Sequence, residues 1–185
     1  AKAYQDYARR FPDKENAPAI FFETSKCYEK LKDWPKQLKI YDRFIKNYGD
    51  DPKQNDRVIT ALAKSVEIYE AHGRARQIKR ARKRLIEAFE NREIPAGGYV
   101  SRFPARAAFM LIEPRFKSFK KMKIKGSMRS QGKIIGKMKS EIAGLTEDYS
   151  RLLKYKSLDW NIAAFYRIGV LRQLFAQALY ELPIP

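Results

Sequence analysis

The chain has 185 residues, of which 44% are hydrophobic, enough to bury the core of one domain or of one run of repeats. Its one cysteine, Cys27, excludes an internal disulfide framework and a cysteine-based zinc site, and any histidine-ligated metal or catalytic triad would have to be built around its one histidine, His72. The formal net charge of +18 is suited to acidic or anionic partners. We expect Cys27 to be a packed or half-buried thiol and His72 to be a solvated residue at the end of a helix.

A short pattern near the start of the chain occurs twice at a constant offset. The matching aromatic positions are Tyr4 with Tyr41, Tyr7 with Phe44, and Phe11 with Tyr48. A helix-breaking residue and an aspartate follow each copy. A period in the range of about 20–50 residues indicates one supersecondary unit that is copied along the chain. Such arrays are extended, and their surfaces are typically used for binding.

Apolar and small residues recur at helical spacing around these copies. The first helix carries Ala3, Tyr4, Tyr7, Ala8 and Phe11 and is stopped by Pro12. A second helix carries Phe21, Thr24, Ser25 and Tyr28, and after a turn at Asp33-Trp34-Pro35 a third carries Leu38, Tyr41, Phe44, Ile45 and Tyr48. Pro35 is suited to the first turn of that third helix. The pattern predicts antiparallel helix pairs.

These residues resemble the tetratricopeptide repeat, a helix–turn–helix unit of about 34 residues. The residues that match its first helix are Phe21, Thr24, Ser25 and Tyr28, and those that match its second helix and terminal breaker are Tyr41, Phe44 and Gly49. Two positions depart from the motif, because Gln37 stands where the family usually has alanine and Phe44 where a small residue is common. The resemblance implies an all-α fold, a right-handed α-solenoid that serves as a protein-interaction scaffold.

The aromatic-rich form of the repeat is similar to bacterial cell-envelope members of the family, of the Tol–Pal-associated and outer-membrane assembly types. The segment from Trp160 onward also looks like parts of repeat proteins from gliding-motility machinery. These resemblances imply a periplasmic or envelope-associated protein, with the cytoplasm as the alternative. Because the chain lacks an initiator methionine and opens inside a helical pattern, we expect it to be a fragment of a longer protein that has further repeats.

The first helix of the third repeat carries the apolar residues Ile59, Leu62, Ala63 and Val66. We expect this helix to be slightly longer than the first helix of the second repeat and to end at Gly73. The register of this repeat is ambiguous. Residues 75–93 form the partner helix, with Ile78, Ala81, Leu85, Ile86 and Phe89 facing inward. A break at residues 95–98 follows, where proline and glycine interrupt the helical pattern.

Beyond the break the spacing predicts a helix over residues 102–124, kinked at Pro114, and a mobile connection over residues 125–132. A long helix over residues 133–154 and another that begins at Asp159 as its N-cap complete the chain, with Pro183 and Pro185 at the end. Small residues including Gly169 indicate close helix contact. We expect three regions in one continuous solenoid: repeats over 1–94, the first of them truncated; a kinked basic helix and its connection over 95–132; and a long helical pair over 133–185. The helical pairs on the C-terminal side are expected to be longer and degenerate.

No motif for catalysis or cofactor binding is present, and no run of about 18 apolar residues that could span a membrane. We therefore predict no enzymatic activity, no cofactor and no metal. Two surfaces are candidates for partner binding. The concave groove of a tetratricopeptide-like array would use Phe22, Lys26, Glu29, Lys30, Leu62, Val66 and Tyr69. An acidic or anionic partner would instead meet the basic residues Arg76, Lys79, Arg80, Lys83, Arg84, Lys117, Lys120 and Lys121.

The positive charge is concentrated in the middle of the chain. Residues 1–56 contain 12 Lys or Arg and 10 acidic residues, whereas residues 101–140 contain 12 and one. Protein–protein interaction in a larger assembly is the predicted function. The alternative is electrostatic binding of nucleic acid, anionic lipid or cell-wall material through residues 74–139, or a basic surface that only keeps the chain dispersed.

Overall fold

The computed structural model describes residues 1–182, and all the regular elements within that range are helical. The all-α prediction is thereby confirmed, while the predicted chain end at Pro183 and Pro185 lies outside the described residues. The chain divides into two compact units, Ala1–Pro95 and the residues from Ala96 onward. The division falls at the proline-glycine break of residues 95–98.

The first unit contains five helices, each packed against the helices that precede and follow it in the chain. They are α1 (Lys2–Arg10), α2 (Ala17–Lys30), α3 (Trp34–Tyr48), α4 (Asn55–His72) and α5 (Ala75–Glu90). Buried residues of this unit include Phe21, Ile40, Tyr41, Phe44, Val58, Ile59, Leu62, Val66, Leu85 and Phe89. This order of neighbours is compatible with a solenoid, but the tetratricopeptide arrangement stays a prediction.

Local signals define the turns of the first unit. The carboxylate of Asp33 accepts a hydrogen bond from the backbone N–H of Lys36 at 3.2 Å, and Pro35 stands in the first turn of α3, as predicted. Helix α4 is followed by Gly73 and has 18 residues, whereas α2 has 14. This confirms the prediction that the first helix of the third repeat is longer than that of the second repeat. Helix α5 ends at Glu90, three residues before the predicted end.

The apolar stripe predicted for α1 is only partly buried. Ala8 is buried and Tyr7 is half-buried, whereas Ala3, Tyr4 and Phe11 are exposed. Because α1 packs chiefly against α2, one side of the helix is covered and the rest of the stripe faces outward.

The second unit contains three long helices that pack on one another: α6 (Arg102–Lys120), α7 (Met128–Ser150) and α8 (Leu158–Tyr180). Short 3₁₀ segments at Tyr99–Ser101 and Arg151–Tyr155 precede α6 and follow α7. The core of the unit is built from Phe109, Phe116, Phe119, Met138, Leu145, Tyr149, Leu152, Ala164 and Leu171.

Three predicted boundaries of α6 and α7 are corrected. Helix α6 ends at Lys120 rather than at residue 124, and α7 begins at Met128 because the side chain of Ser127 caps it. The predicted mobile connection of residues 125–132 is therefore largely helical. Helix α7 ends at Ser150, where the chain tightens into the 3₁₀ segment.

The start of the last helix is also earlier than predicted. The N-cap of α8 is Ser157, and Asp159 lies in the first turn of the helix. A negative charge in the first turn is still favourable, because it interacts with the positive end of the helix dipole. Pro114 lies inside α6, which continues through it, and the kink there stays a prediction. The close contact expected at Gly169 is absent within the described chain, because a Cβ placed there would meet no atom within 4 Å.

Candidate functional site

The residues predicted to line the groove differ widely in exposure. Lys26, Glu29 and Lys30 are exposed on α2, and Tyr69 is half-buried on α4. Val66 and Leu62 are only 1% and 3% exposed, because α4 packs against both α3 and α5. Val66 is therefore a core residue and unavailable to a partner, which corrects that part of the predicted groove. Leu62 also belongs to the core, although its edge reaches a cleft described below.

Phe22 also serves packing within the unit. Its half-buried ring lies 5.9 Å from the ring of Tyr41 and 5.1 Å from that of Phe44, measured between centroids. Phe44 is fully buried. Gln37 is also buried and donates a hydrogen bond to the Tyr41 hydroxyl at 3.1 Å. At the two positions that depart from the predicted motif, an aromatic ring and a polar side chain are therefore packed inside the unit.

Two lysines of α2 and α4 are paired with glutamates of their own helices. Lys26 lies 2.7 Å from Glu23, and Lys64 lies 2.8 Å from Glu67. These hydrogen bonds raise the pKa of both lysines. Because both signs of charge alternate here, the helix face that would form the groove offers no strong electrostatic attraction to a partner.

The five predicted cations of α5 lie together on its solvent side, and we call this surface the basic face. Its members, Arg76, Lys79, Arg80, Lys83 and Arg84, are exposed and line a shallow depression of about 560 Å³ together with Glu87. Their spacing of three and four residues brings them to one side of the helix. Helical geometry therefore concentrates positive charge on this side of α5.

The neighbouring Arg82 points away from the basic face. Its guanidinium donates two hydrogen bonds to Glu70 of α4, at 3.1 Å from Nε and 2.7 Å from Nη2. Arg84 donates to Asp42 of α3 at 2.8 Å. These two ion pairs connect α5 to α4 and α3, and the remaining cations of the basic face have no ion pair among the interactions of the described residues.

A cleft of about 320 Å³ lies next to the basic face, and we call it the α3–α5 cleft. Its lining residues are Leu38, Asp42, Leu62, Ser65, Tyr69, Gln77, Arg80, Ala81 and Arg84. Apolar side chains from three helices contribute to its walls. Arg80 and Arg84 line both the cleft and the basic face. The first unit therefore has a cleft whose walls are partly apolar and partly polar, with two arginines at its edge.

The second predicted basic group belongs to α6. Three exposed lysines, Lys117, Lys120 and Lys121, lie near its C-terminal end. The helix dipole stabilises positive charge at this end. The adjacent Arg115 is already engaged, because it donates to Glu141 and to Asp148 of α7, both at 2.8 Å. These three lysines therefore form a second exposed basic group, next to an arginine that is held in ion pairs.

A polar network that the sequence did not predict lies in the second unit. Glu113 is 9% exposed, and it accepts a hydrogen bond from the Tyr149 hydroxyl at 2.9 Å. Arg167 donates to both carboxylate oxygens, at 2.8 and 3.0 Å, so α6, α7 and α8 meet at one carboxylate. The guanidinium also lies 4.6 Å from the ring centroid of Phe116. A signal was available, since Glu113 is the one acidic residue among residues 101–140.

The network holds its charges in compensated pairs. Burial, and then the hydrogen bond to Glu113, raise the pKa of the Tyr149 hydroxyl, which stays protonated. The hydrogen bond to Glu113 raises the pKa of Arg167. A bidentate arginine–carboxylate pair with a tyrosine donor is a structural arrangement, and its polar atoms are directed at one another.

The other candidates for chemistry are placed as follows. His72 is exposed in the last turn of α4, as expected, and its ring stacks on Trp34 at 5.2 Å. Cys27 is a half-buried free thiol. Among residues 1–182, no group of three or more His, Cys, Asp or Glu side chains is placed to hold a metal ion. None of the helices described is both long enough and apolar enough to cross a membrane.

No known protein-family model matches this chain, and no curated protein or solved structure matches it either.

Proposed function

We propose that this chain is a non-enzymatic protein-interaction module of a larger assembly, and that it binds an acidic segment of a partner protein on its first unit. The observation that carries the proposal is the sharing of Arg80 and Arg84 by the α3–α5 cleft and the basic face. A bound segment would place an apolar side chain in the cleft and carboxylates on the arginines and lysines of α5. The tetratricopeptide-like arrangement and the bacterial envelope location are part of the same proposal and rest on the sequence resemblance.

The composition of the site favours a peptide over nucleic acid. Non-specific binding of single-stranded nucleic acid typically combines cations with aromatic rings on which bases stack. The basic face is lined by cations and Glu87, and the nearest aromatic lining residue, Tyr69, lies in the cleft and is half-buried. Glu87 and Asp42 also place negative charge beside the cations, which disfavours a uniformly anionic polymer.

The test measures the binding of labelled synthetic peptides to the whole chain by fluorescence anisotropy. The main probe has glutamates at helical spacing and one leucine, and the comparison probes are an oligoglutamate and a single-stranded oligonucleotide of equal charge. We expect the leucine-containing peptide to bind most tightly. Replacing Arg80 and Lys83 with glutamine should weaken its binding about tenfold, while the helix content measured by circular dichroism is unchanged.

Two control variants make this test specific. Lys137→Gln with Lys139→Gln removes the same charge from exposed positions of α7 and should leave peptide affinity unchanged. Ala81→Leu narrows the cleft without a change in charge, and we expect it to weaken the leucine-containing peptide but not the oligoglutamate. If both peptides bind equally, or if the α7 variant weakens binding as much as the α5 variant, the proposed site is wrong.

The alternative function, binding of an anionic polymer, is favoured by the exposed Lys117, Lys120 and Lys121 of the second unit. It predicts that the oligonucleotide binds most tightly, with an affinity that falls steeply with salt. A protein that neutralises Z phosphates of a single strand shows a slope of about −0.7Z in log K against log salt. A steep slope for the oligonucleotide, lowered by Lys120→Gln and Lys121→Gln, would support this alternative over the peptide site.

A further inference from the structure

Helix α8 leaves one entire side uncovered. Leu158, Ile162, Phe165 and Tyr166 are 73%, 59%, 57% and 65% exposed, although all are large apolar or aromatic side chains. The opposite side of the same helix packs on α6 and α7 through buried Ala164 and Leu171. An exposed apolar surface of this kind is typical of interaction sites.

The uncovered side has the spacing of a helix-pairing seam. Leu158, Ile162, Phe165, Gly169, Arg172 and Ala176 follow one another at alternating intervals of four and three residues, and all are exposed. This is the interval at which a helix presents a continuous stripe to a second helix. Gly169 lies in open space, and small residues at such positions let two helices approach closely.

We propose that this side of α8 is a self-association surface, on which α8 of a second copy of the chain lies antiparallel, related by a two-fold axis between Phe165 and Tyr166. In an isologous pair each residue faces the position equally far on the other side of the axis. Ile162 then faces Gly169, so a large side chain meets an open position. Phe165 faces Tyr166, and the two aromatic rings meet at the centre.

Charge selects a second copy as the occupant and also sets the register. The net charge of +18 opposes association of two copies over most of their surface, but α8 carries little of this excess. The helix contains three charged residues, Asp159, Arg167 and Arg172, and Arg167 is neutralised by Glu113. The remaining two have opposite signs, and an axis placed midway between them makes each Asp159 face Arg172 of the other copy. A parallel pair would instead juxtapose like charges.

The first experiment measures self-association of the whole chain by sedimentation equilibrium. We expect reversible dimers in the unmodified chain. Asp159→Arg should weaken dimerisation about tenfold or more, because it places two arginines together at both ends of the seam. The exchange Asp159→Arg with Arg172→Asp should restore it. Asp13→Arg, at an exposed position of the first unit, makes the same change in net charge and serves as the control.

The second experiment tests the register by disulfide formation in a Cys27→Ser background. In the proposed pair, Ile162 is close to Gly169 of the other copy, but it lies seven residues, or about 10 Å, along the axis from Ile162 of the other copy. A disulfide requires Cα atoms within about 7 Å. We therefore expect a covalent dimer when Ile162→Cys and Gly169→Cys chains are mixed and oxidised, and none from either variant alone.

Three results would overturn the proposal. A chain that stays monomeric at about 100 µM, far above the range of a specific micromolar dimer, would leave α8 to a different occupant. Cross-linking of Ile162→Cys by itself would indicate a parallel pair. Failure of the exchanged variant to recover, with its helix content intact, would show that Asp159 and Arg172 do not face one another.

Discussion

At the scale of single residues, Glu113 connects the three long helices of the second unit. Its carboxylate is shared by a tyrosine of α7 and an arginine of α8, and its own side chain is 11% exposed. A buried ion pair contributes little net stability when compared with an apolar replacement, but removal of one partner leaves an uncompensated charge. The network therefore makes the packing of α6, α7 and α8 depend on one side chain.

We predict that Glu113→Gln lowers the free energy of unfolding by about 3 kcal/mol, because Arg167 keeps its charge without a counter-ion. Tyr149→Phe, which removes one hydrogen bond, should cost about 1 kcal/mol. Chemical denaturation of the two single variants and the double variant measures both effects and their coupling. Glu87→Gln at an exposed position of α5 is the control and should change stability by less than about 0.5 kcal/mol. Equal stability of Glu113→Gln and the unmodified chain would show that the network is not a structural element.

Tyr149 also predicts how stability depends on pH. Its pKa is raised in the folded chain, chiefly by burial, whereas an unfolded tyrosine titrates near pH 10. The stability due to this group is therefore complete below about pH 10 and is lost as the pH rises toward the higher folded pKa, by up to about 1.4 kcal/mol for each pH unit. Between about pH 8 and pH 11, the free energy of unfolding measured by denaturation should fall less for Tyr149→Phe than for the unmodified chain. An equal fall in both would assign the alkaline loss to other groups.

At the scale of helices, Arg115 connects α6 to α7 by lying across a glycine. Its guanidinium bonds to Glu141 and Asp148, which flank Gly144 on α7. A Cβ at Gly144 would lie 2.5 Å from Nη2 and 3.2 Å from Cζ of Arg115. The absence of a side chain at this position therefore permits the two ion pairs.

Glycine in a helix normally costs about 1 kcal/mol relative to alanine. Gly144→Ala should therefore gain helix propensity, but its methyl group would displace the guanidinium of Arg115. We predict that it stabilises the chain less than Gly136→Ala, the matched change on the same helix, where a Cβ meets no atom within 4 Å. The difference should be about 0.5–1 kcal/mol and should disappear when Arg115 is replaced by alanine. Thermal denaturation of the four variants measures it, and equal gains in the presence of Arg115 would contradict this role for Gly144.

At the scale of the whole molecule, the chain contains two units with separate buried cores. Phe44, Ile59 and Leu85 are buried in the first unit, and Leu145 and Tyr149 are buried in the second. Each unit has fewer than 100 residues, a size at which a single core can still be sufficient for folding. The charge is also distributed unequally, because the nearly balanced first 56 residues precede the strongly basic middle of the chain.

We predict that residues 1–95 and 96–185 each fold when they are produced separately, because the ion pairs and core contacts described above lie within one unit or the other. Circular dichroism should show a helical spectrum and a cooperative thermal transition for each piece. Glu113→Gln should lower the transition temperature of the second piece, and the first piece serves as the reference without that network. An unfolded piece would show that the division into two units does not correspond to independent folding.

The sequence by itself determined the helical class and many of the helix boundaries, because these depend on neighbouring residues. Asp33 and Pro35 begin α3 through contacts within one turn, Gly73 ends α4, and the spacing of Arg76, Arg80 and Lys83 places them on one side of α5. The correction at α7 is also local: the cap at Ser127 was present in the sequence, but it lies between Gly126 and Gly132 in a segment predicted as a mobile connection.

Only the tertiary structure decided which surfaces are available, because that depends on residues far apart in the chain. Val66 has the spacing of a groove residue but is buried between neighbouring helices, and Glu113 meets Arg167 across 54 positions. The cleft beside Arg80 and Arg84 requires three helices to be packed before it exists. The uncovered side of α8 is likewise defined by what α6 and α7 leave exposed, since its apolar spacing alone predicts a buried helix.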